Sequence, residues 1–185
     1  MLRGVSYFGK LKNTNYPSQV FLVLYSRPRL IAPENFNVLF SGIQKKVKTI
    51  GKKMKRIEVV AAIIIFNNDI LCVQRGESKL DYISKKYEFP GGKMEPGETK
   101  QDAIKREILE ELKMDIEVQK EFLTVNHQYP DFHITMHSFI CSCENPSLTL
   151  TEHIDFKWLK KTELDELDWA AADVPIVNKI MNNYI

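Results

Sequence analysis

The spacing of apolar residues predicts that the chain after residue 54 begins with a β-hairpin. Residues 57–66 (IEVVAAIIIF) are β-branched and almost continuously apolar, which is typical of a strand buried on both faces. The Asn-Asn-Asp sequence at 67–69 is a turn signal, and residues 70–74 (ILCVQ) return as a second strand. Residues 76–86 are polar and predict a loop.

The apolar period changes from two to about four after residue 98, and this change predicts a helix over 99–112. A short strand at 87–89 (YEF) comes before it. Thr99 and Asp102 have the spacing of a capping box at the start of this helix. An apolar stripe at steps of four residues follows, through Ile104, Ile108 and Leu112.

The rest of the chain adds strands and two short helices, without internal repeats. In the strand predicted at 132–142, the even-numbered apolar residues share one face. Strands that precede and follow helices predict an α/β fold, in which helices cover the faces of a mixed sheet. The predicted elements are strands at 116–126, 132–142 and 155–159, a short helix over 160–167 and a closing helix over 174–182.

Charge divides the chain into a basic leader and a more acidic domain. Residues 1–53 hold ten Lys or Arg residues and one acid, Glu34, so their net charge is +9. Because the whole chain carries +2, residues 54–185 carry −7. We therefore place a domain boundary at residues 53 and 54, with a complete domain beginning at Met54.

Three interpretations of residues 1–53 remain open. They are a transit-like or disordered leader, an extension that contacts an anionic partner, or sequence upstream of a functional start at Met54. We favour the third, because the domain needs nothing before Met54. The longest apolar run of the leader, at 20–25 (VFLVLY), is too short to span a bilayer, so no membrane contact is expected.

Three cysteines, Cys72, Cys141 and Cys143, do not predict a disulfide framework. Cys72 lies in an apolar run and is interpreted as a small core residue. Cys141 and Cys143 alternate along a predicted strand and share a face, where packing is a better explanation than metal binding. This usage suits a reducing compartment, and we expect a cytoplasmic protein.

Three glutamates are crowded on one turn of the helix predicted at 99–112. Glu107 and Glu111 lie one turn apart, and Glu110 adjoins both, beside the apolar stripe. Like charges at these spacings repel, and Arg106 with Glu110 is the only favourable pair within the cluster. A solvated helix face is one explanation. The other is a hard divalent cation, which would remove the repulsion; oxygen ligands favour Mg²⁺ or Mn²⁺ over zinc.

Two glycines, Gly91 and Gly92, come shortly before this helix. Glycine lets the backbone turn sharply and approach a ligand closely, and its carbonyl is a further oxygen ligand. Mg²⁺ held by a few carboxylates usually shares its coordination with substrate phosphates. Chemistry at phosphate by this route requires charge neutralisation and a positioned water.

These residues resemble the Nudix box, G-x5-E-x7-R-E-U-x-E-E-x-G-U, in which U is aliphatic. Gly92, Glu98 and then Arg106-Glu107-Ile108-x-Glu110-Glu111 match it in type and spacing, and Met114 fills the last position. Lys113 departs from the pattern, since the family has a glycine there. That glycine ends the helix in a left-handed conformation, which lysine adopts at a cost of about 1 kcal/mol or more.

Further matches extend the resemblance over residues 54–185 and towards the MutT-type branch of the family: EVVAAII, QR, YEFPGGK, EH and WAAADVP. The resemblance implies an α/β/α sandwich with a mixed sheet. It also implies Mg²⁺-dependent hydrolysis of a nucleoside triphosphate, such as an oxidised purine or cytidine nucleotide, to the monophosphate and pyrophosphate.

The resemblance also implies roles for particular residues. Glu110 and Glu111 would bind metal together with the Gly91 carbonyl, and Glu107 would bind metal or act as the base. Arg106 belongs to the catalytic motif, with Glu98 supporting it or the metal. Glu152, in TEH, matches a loop glutamate that serves as a further ligand or base.

Three residues are candidates for substrate binding, each with a structural alternative. Asp173 lies where related proteins contact the base edge, and as an acceptor it would select a base that offers donors. It could equally cap the last helix. Phe89 would stack on the base or belong to the core, and Arg75 would contact phosphate or sugar, or be solvated. Tyr87 and Trp169 would line the pocket or pack.

The leading hypothesis is a diphosphatase that removes modified or oxidised nucleoside triphosphates, with a small nucleotide and no nucleic acid as its partner. One alternative is a Nudix hydrolase of another nucleoside diphosphate derivative. Another is a non-catalytic module that binds a nucleotide. Loss of a box glutamate would favour the last, and none is lost.

Overall fold

The structure is a computed structural model, and it describes residues 54–182. The predicted leader and its boundary with the domain lie outside the described residues, as do the last three residues. In chain order the elements are β1 (Lys55–Phe66), β2 (Asp69–Gln74), β3 (Tyr87–Glu88), α1 (Lys100–Leu112), β4 (Glu117–Gln128), β5 (Phe132–Ser142), β6 (Asp155–Lys160), a 3-10 helix (Lys161–Glu166) and α2 (Val174–Asn182).

The predicted order of elements is confirmed, with ends that differ by no more than two residues. The hairpin turn uses Asn67 and Asn68 at φ of 50° and 68°, which asparagine tolerates better than most residues. At the start of α1, the Thr99 hydroxyl accepts from the Asp102 N–H, so the helix is capped as predicted. The Asp102 carboxylate instead accepts from the Thr99 hydroxyl. The short helix predicted at 160–167 is a 3-10 helix.

The sheet has six strands and is mixed, as predicted. Its order is β3-β2-β1-β5-β4, and β6 pairs with β2. Among the strands of residues 54–182, only β1 and β5 run parallel, paired from Lys55↔Phe132 to Ile65↔Ser142. β1 contacts β2 only near the hairpin, and the chain after β3 fills the gap beside β1. The loop that contains Gly91 and Gly92, here called the glycine loop, is thereby held against β1, a central strand of the sheet.

Helices cover both faces of the sheet, which confirms the α/β/α sandwich. Alternate residues of β1 supply the two cores, because successive side chains of a strand point to opposite faces. The core under α1 contains Val60, Ala62, Ile64, Ile104, Ile108 and Leu112. The core under α2 contains Ala61, Ile63, Met136, Ile140, Ile176 and Ile180.

The cysteines form no disulfide, as the sequence predicts. All three cysteines are free; Cys72 and Cys141 are buried and Cys143 is half-buried. Burial raises the pKa of the Cys72 and Cys141 thiols to about 12, so both behave as small apolar side chains. No helix within residues 54–182 is long and apolar enough to cross a membrane.

Candidate active site

A cavity of about 410 Å³ lies between the glycine loop, α1 and the strands β1 and β5. It brings together candidate residues that lie far apart in sequence. One part of its wall, here called the carboxylate end, consists of Gly92, Glu107, Glu111 and Glu152. Another part, here called the aromatic end, consists of Phe89, Tyr129 and Asp173. Arg75 and Gly91 also line the cavity.

The two glycines are required for different reasons. Gly91 has a φ of 151°, and a Cβ added there would lie 2.2 Å from the carbonyl oxygen of Val60. A Cβ added at Gly92 would instead lie 2.3 Å from the carboxylate of Glu107. Gly91 therefore allows the loop to approach β1, whereas Gly92 leaves the space that the Glu107 carboxylate occupies.

Hydrogen bonds to β1 leave one carbonyl of the glycine loop available. The Val60 N–H donates to the Gly92 carbonyl at 2.9 Å, and the Ala62 N–H donates to the Pro90 carbonyl at 2.8 Å. In the described part of the chain, no hydrogen bond is made to the Gly91 carbonyl between them. This oxygen is the one that the sequence predicts as a metal ligand.

Arg106 organises the acidic residues of the box. Its Nε and Nη2 donate to the two oxygens of Glu98 at 2.8 and 2.9 Å. Nη1 donates to Glu107 at 3.0 Å and to Glu110 at 3.3 Å, while Nη2 also donates to the Lys93 carbonyl at 3.1 Å. The hydrogen bond from Arg106 lowers the pKa of Glu98. The guanidinium fork thus fixes the orientation of Glu107 from outside the cavity.

Glu111 is the least compensated of the box glutamates. Its side chain is 9% exposed, and its buried Oε2 has no hydrogen-bond partner among the described residues. The pKa of Glu111 is raised to about 7, mainly by burial. His153 opposes this rise, whereas Glu152, Glu107 and Glu88 add to it. A buried carboxylate without a donor is costly unless a proton or a cation compensates it.

The residues present fit a hard divalent cation. The donors are carboxylates and a backbone carbonyl, which suit Mg²⁺ or Mn²⁺, and the orphaned Glu111 oxygen supplies an unused ligand. In residues 54–182 no three His, Cys, Asp or Glu side chains are already gathered into a complete ligand set. Carboxylates repel one another, so a close set of such ligands forms only around a cation.

Glu110 differs from the other two glutamates of the box. Its side chain is 61% exposed, it pairs with Arg106, and it is absent from the cavity wall. A ligand role for Glu110 would require its carboxylate to leave Arg106, so this assignment stays a prediction.

The C-terminal end of α1 holds the loop that contains Glu152, and Glu152 lines the cavity. Lys113 ends the helix at φ 56° and ψ 33°, the left-handed conformation expected at this position. The Thr151 N–H donates to the Glu111 carbonyl at 3.0 Å, and the Thr151 hydroxyl donates to the Glu110 and Glu111 carbonyls. Carbonyls left open at the helix end therefore hold the loop that precedes β6, which positions Glu152 next to Glu111.

Asp173 is buried and bonded to the loop after β3. It is 1% exposed, and its Oδ1 accepts from the Phe89 N–H at 3.0 Å. Burial raises the pKa of Asp173, and Glu88 raises it further. The backbone carbonyl of Asp173, not its side chain, accepts from the Ile176 and Val177 amides of α2. The carboxylate therefore has one oxygen that no donor of the described residues uses.

The aromatic candidates divide between the cavity wall and the core. Phe89 is 3% exposed and lines the cavity, and its ring packs against Trp169 with centroids 4.9 Å apart. Trp169 and Tyr87 are absent from the cavity wall. The Trp169 indole donates to the Leu164 carbonyl and the Tyr87 hydroxyl bonds Asp155 at 3.0 Å, so both residues pack.

Arg75 lines the cavity and is held by Glu88, a contact that the sequence did not predict. Its Nε and Nη2 donate to Glu88 Oε2 at 3.0 and 2.7 Å, which leaves three of its five N–H donors. The other Glu88 oxygen lies 3.1 Å from His153 Nε2. Glu88 and His153 both line the cavity, and sequence reasoning assigned neither a role. The position of His153 directly after Glu152 was the one available signal.

The similarity of this chain to known proteins covers the residues named above as lining the cavity. The NUDIX domain pattern matches residues 59–179. The chain is 29% identical over 128 residues to the 8-oxo-dGTP diphosphatase of Escherichia coli, covering 69% of this chain and 98% of that protein. It is 33% identical over 128 residues to the CTP pyrophosphohydrolase of the same organism, with coverages of 69% and 93%.

A solved structure gives the same result. The solution structure of the DNA mismatch repair protein MutT from methicillin-resistant Staphylococcus aureus is 44% identical to this chain, with a TM-score of 0.56. The match covers 70% of this chain and 98% of that one. Nearly the whole of each relative is therefore represented here.

Proposed function

The chain belongs to the Nudix family, and we propose from that premise that it hydrolyses a modified or oxidised nucleoside triphosphate to the monophosphate and pyrophosphate. Its role would be to clear such nucleotides from the nucleotide pool. The similarity to an 8-oxo-dGTP diphosphatase and to a CTP pyrophosphohydrolase supports this reaction. The observation that carries it is a cavity lined by Glu111, whose Oε2 has no partner among the described residues, and also by Asp173, a buried acceptor beside aromatic rings.

Family members generally require a divalent metal, and we propose Mg²⁺, with Mn²⁺ as a substitute. Glu107 and Glu111 with the Gly91 carbonyl would hold it, and Glu110 would join them on leaving Arg106. When bound, the cation supplies positive charge against the triphosphate oxygens. The orphaned Oε2 of Glu111 supports this assignment more than any other atom of the site.

The proton of the attacking water would go to a glutamate, and Glu107 and Glu152 are the candidates. Glu107 lines the cavity and accepts a hydrogen bond from Arg106 at 3.0 Å, which fixes its orientation. Glu152 is exposed at the cavity wall, and within residues 54–182 no side chain donates to it. Arg106 would act by fixing Glu98 and Glu107, and so as a positioning residue. Replacing each candidate by Gln and recording the pH profile of kcat distinguishes them, because loss of the base removes its acidic limb.

The nucleoside would occupy the aromatic end. The free oxygen of Asp173 would accept a hydrogen bond from the base, and the Phe89 ring would contact its face. The N–H donors of Arg75 that Glu88 leaves free would bind phosphate or sugar oxygens. Cytosine offers an amino group to Asp173, and 8-oxoguanine offers its N7–H.

A panel of nucleoside triphosphates with Mg²⁺ tests the reaction, provided that pyrophosphate and orthophosphate are measured separately. We expect pyrophosphate together with the nucleoside monophosphate. Orthophosphate as the main product would contradict the assigned bond cleavage. Hydrolysis of nucleoside diphosphate derivatives alone would favour the other branch of the family, and nucleotide binding without any turnover would indicate a non-catalytic module.

We also propose a cytoplasmic location, where the substrate pool and a reducing environment coincide. The three free cysteines support it, because such thiols persist where disulfides are not formed. Fractionation of cells that express the full-length chain tests this proposal.

A further inference from the structure

Asp173 alone cannot read both polar groups on the edge of a purine base. Its Oδ1 is already used by the Phe89 N–H, which leaves one carboxyl oxygen for the base, and that oxygen is taken by the N–H group of the base. A base with a carbonyl beside its N–H group therefore needs a second protein group that donates. This donor must lie close to Asp173 on the cavity wall.

Tyr129 supplies such a donor. It is 5% exposed and lines the same cavity as Asp173. Its hydroxyl oxygen accepts from the N–H of Ala172, the residue before Asp173, at 3.1 Å. No acceptor for the hydroxyl hydrogen is present in the described residues. Burial raises the pKa of Tyr129, so the hydroxyl keeps this hydrogen near neutral pH. A buried donor without an acceptor is costly, and a ligand or water in the cavity is what can accept from it.

The ring of Tyr129 is held firmly by its neighbours. Tyr82 stacks on it with centroids 5.1 Å apart and an interplanar angle of 20°. His127 meets its edge at 4.5 Å, and Phe132 contacts it at 5.0 Å. The Tyr82 hydroxyl donates to Asp131 at 2.9 Å, and neither of these two residues lines the cavity. A donor fixed in this way favours one ligand geometry over others.

We propose that Tyr129 is a specificity-determining residue, whose hydroxyl donates to a carbonyl oxygen of the base next to the N–H that Asp173 accepts. The class of base that fits is a purine with a 6-carbonyl and an N7–H, as in 8-oxoguanine. Unoxidised guanine presents a lone pair at N7 to Asp173. An 8-oxoadenine keeps the N7–H but presents an amino group to Tyr129. The substrate class rests on the proposed function; the pairing of Tyr129 with Asp173 rests on the cavity.

Binding of nucleoside monophosphates tests this pairing without depending on hydrolysis. Calorimetry of the full-length chain with 8-oxo-dGMP, 8-oxo-dAMP and dGMP compares the two groups of the base one at a time. The wild type should bind 8-oxo-dGMP more tightly than 8-oxo-dAMP. Tyr129→Phe should reduce this preference about five- to tenfold, as expected for one neutral hydrogen bond. The preference for 8-oxo-dGMP over dGMP, which depends on Asp173, should change less.

Tyr82→Phe is the matched control, since it removes a hydroxyl from the same ring stack while Tyr129 keeps its own. It should leave both preferences unchanged. Tyr129→Phe also removes the hydrogen bond from the Ala172 N–H, and this loss affects the binding of all three nucleotides in the same way. The ratio of their affinities is therefore the quantity to compare. An unchanged ratio in folded Tyr129→Phe, or an equal fall in Tyr82→Phe, would overturn the proposal.

Two further outcomes separate this proposal from the proposed function. A wild type that binds 8-oxo-dAMP as tightly as 8-oxo-dGMP overturns the role of Tyr129 even if Tyr129→Phe fails to fold. A wild type with the expected preference but no pyrophosphate release contradicts the proposed reaction and leaves the role of Tyr129 supported.

Discussion

The carboxylate end and the aromatic end of the cavity are built on opposite principles. At the aromatic end, Asp173 is bonded to the Phe89 amide and Tyr129 is held by stacked rings, so the side chains are fixed by the protein itself. At the carboxylate end, Glu111 has an oxygen with no partner in residues 54–182 and faces other carboxylates. The side chains of one end are held in place by the protein, whereas the other end keeps a buried carboxylate oxygen without a partner among the described residues.

Under the proposed function, this difference would separate recognition from chemistry within a single cavity. Fixed hydrogen-bond groups favour one base over another because they do not rearrange to suit a wrong one. Uncompensated charge instead stores a free-energy cost that a cation and a polyanion together remove. We therefore expect substitutions at the carboxylate end to affect turnover, and substitutions at the aromatic end to affect discrimination between substrates.

The largest effect is expected for Glu111→Gln. Metal charge stabilisation amounts to several kcal/mol, so losing this ligand should lower kcat by about 10²- to 10³-fold. The same substitution should raise the thermal stability of the metal-free protein, because a neutral amide replaces a buried charge. Pyrophosphate release and thermal unfolding in EDTA measure the two effects. Glu117→Gln, at an exposed position, is the control; wild-type turnover in Glu111→Gln would remove this residue from the site.

Gly92→Ala should reduce turnover by about 10²-fold with little loss of stability. The three atoms nearest to the added Cβ belong to the Glu107 carboxylate, the far end of a flexible side chain. Displacing a catalytic group by about 1 Å costs that much in rate. Gly91→Ala makes the comparison sharper, since its Cβ would meet the backbone of β1 and should destabilise the fold. Kinetics and unfolding of both variants check this prediction. Equal loss of stability in the two would show that Gly92 also has a structural role.

Arg106→Lys should lower activity by roughly 10- to 100-fold, the usual effect of losing a group that orients metal ligands. Lysine keeps the charge but cannot reach Glu98, Glu107 and Glu110 together. Titration of activity with Mg²⁺ measures the effect, and we expect a weaker apparent affinity for the metal. An unchanged metal requirement would show that charge alone is sufficient at this position.

A pH-dependent difference between wild type and Glu111→Gln is expected in metal-free protein. The pKa of Glu111 is raised from 4.5 to about 7, so the stability that its protonated form contributes is complete below about pH 4.5 and is lost as the pH rises through 7. The melting temperature of Glu111→Gln should therefore exceed that of the wild type more at about pH 8 than at about pH 5. Saturating Mg²⁺ should reduce the difference. A gap that is constant with pH would contradict the shifted pKa.

The smallest effect is expected at the end of α1. Lys113 adopts a left-handed conformation at φ 56°, which glycine reaches without strain but with a greater loss of entropy on folding. Lys113→Gly should therefore stabilise the fold by only about 0.5 kcal/mol. Kinetic constants should not change, because Lys113 is exposed and absent from the cavity wall. Thermal unfolding measures this effect, and destabilisation would show that Lys113 makes a contact worth more than the strain.

The elements and the acidic box could be predicted because their signals are local. The apolar period gave β1 and α1, and the crowding of Glu107 and Glu111 on one helical turn indicated a charged ligand. Lys113 adopts the left-handed conformation that the resemblance implies for a glycine at this position.

The aromatic end could not be predicted in the same way. The bond from the Phe89 amide to Asp173 joins residues 84 positions apart, and the contact between Glu88 and His153 joins residues 65 positions apart. Tyr129 follows β4 in a turn whose sequence has no motif. Such contacts depend on how strands pair and where loops end, and no local pattern encodes them. For the same reason the exposure of Glu110, beside the buried Glu111, became visible only in the folded chain.

The central claim is that a divalent cation completes the carboxylate end together with a triphosphate. Calorimetric titration of Mg²⁺ into the full-length protein, in the presence of a non-hydrolysable nucleoside triphosphate, tests it most directly. We expect the wild type to bind Mg²⁺, and Glu111→Gln to bind it at least about tenfold more weakly. Absence of Mg²⁺ uptake by the wild type would contradict it.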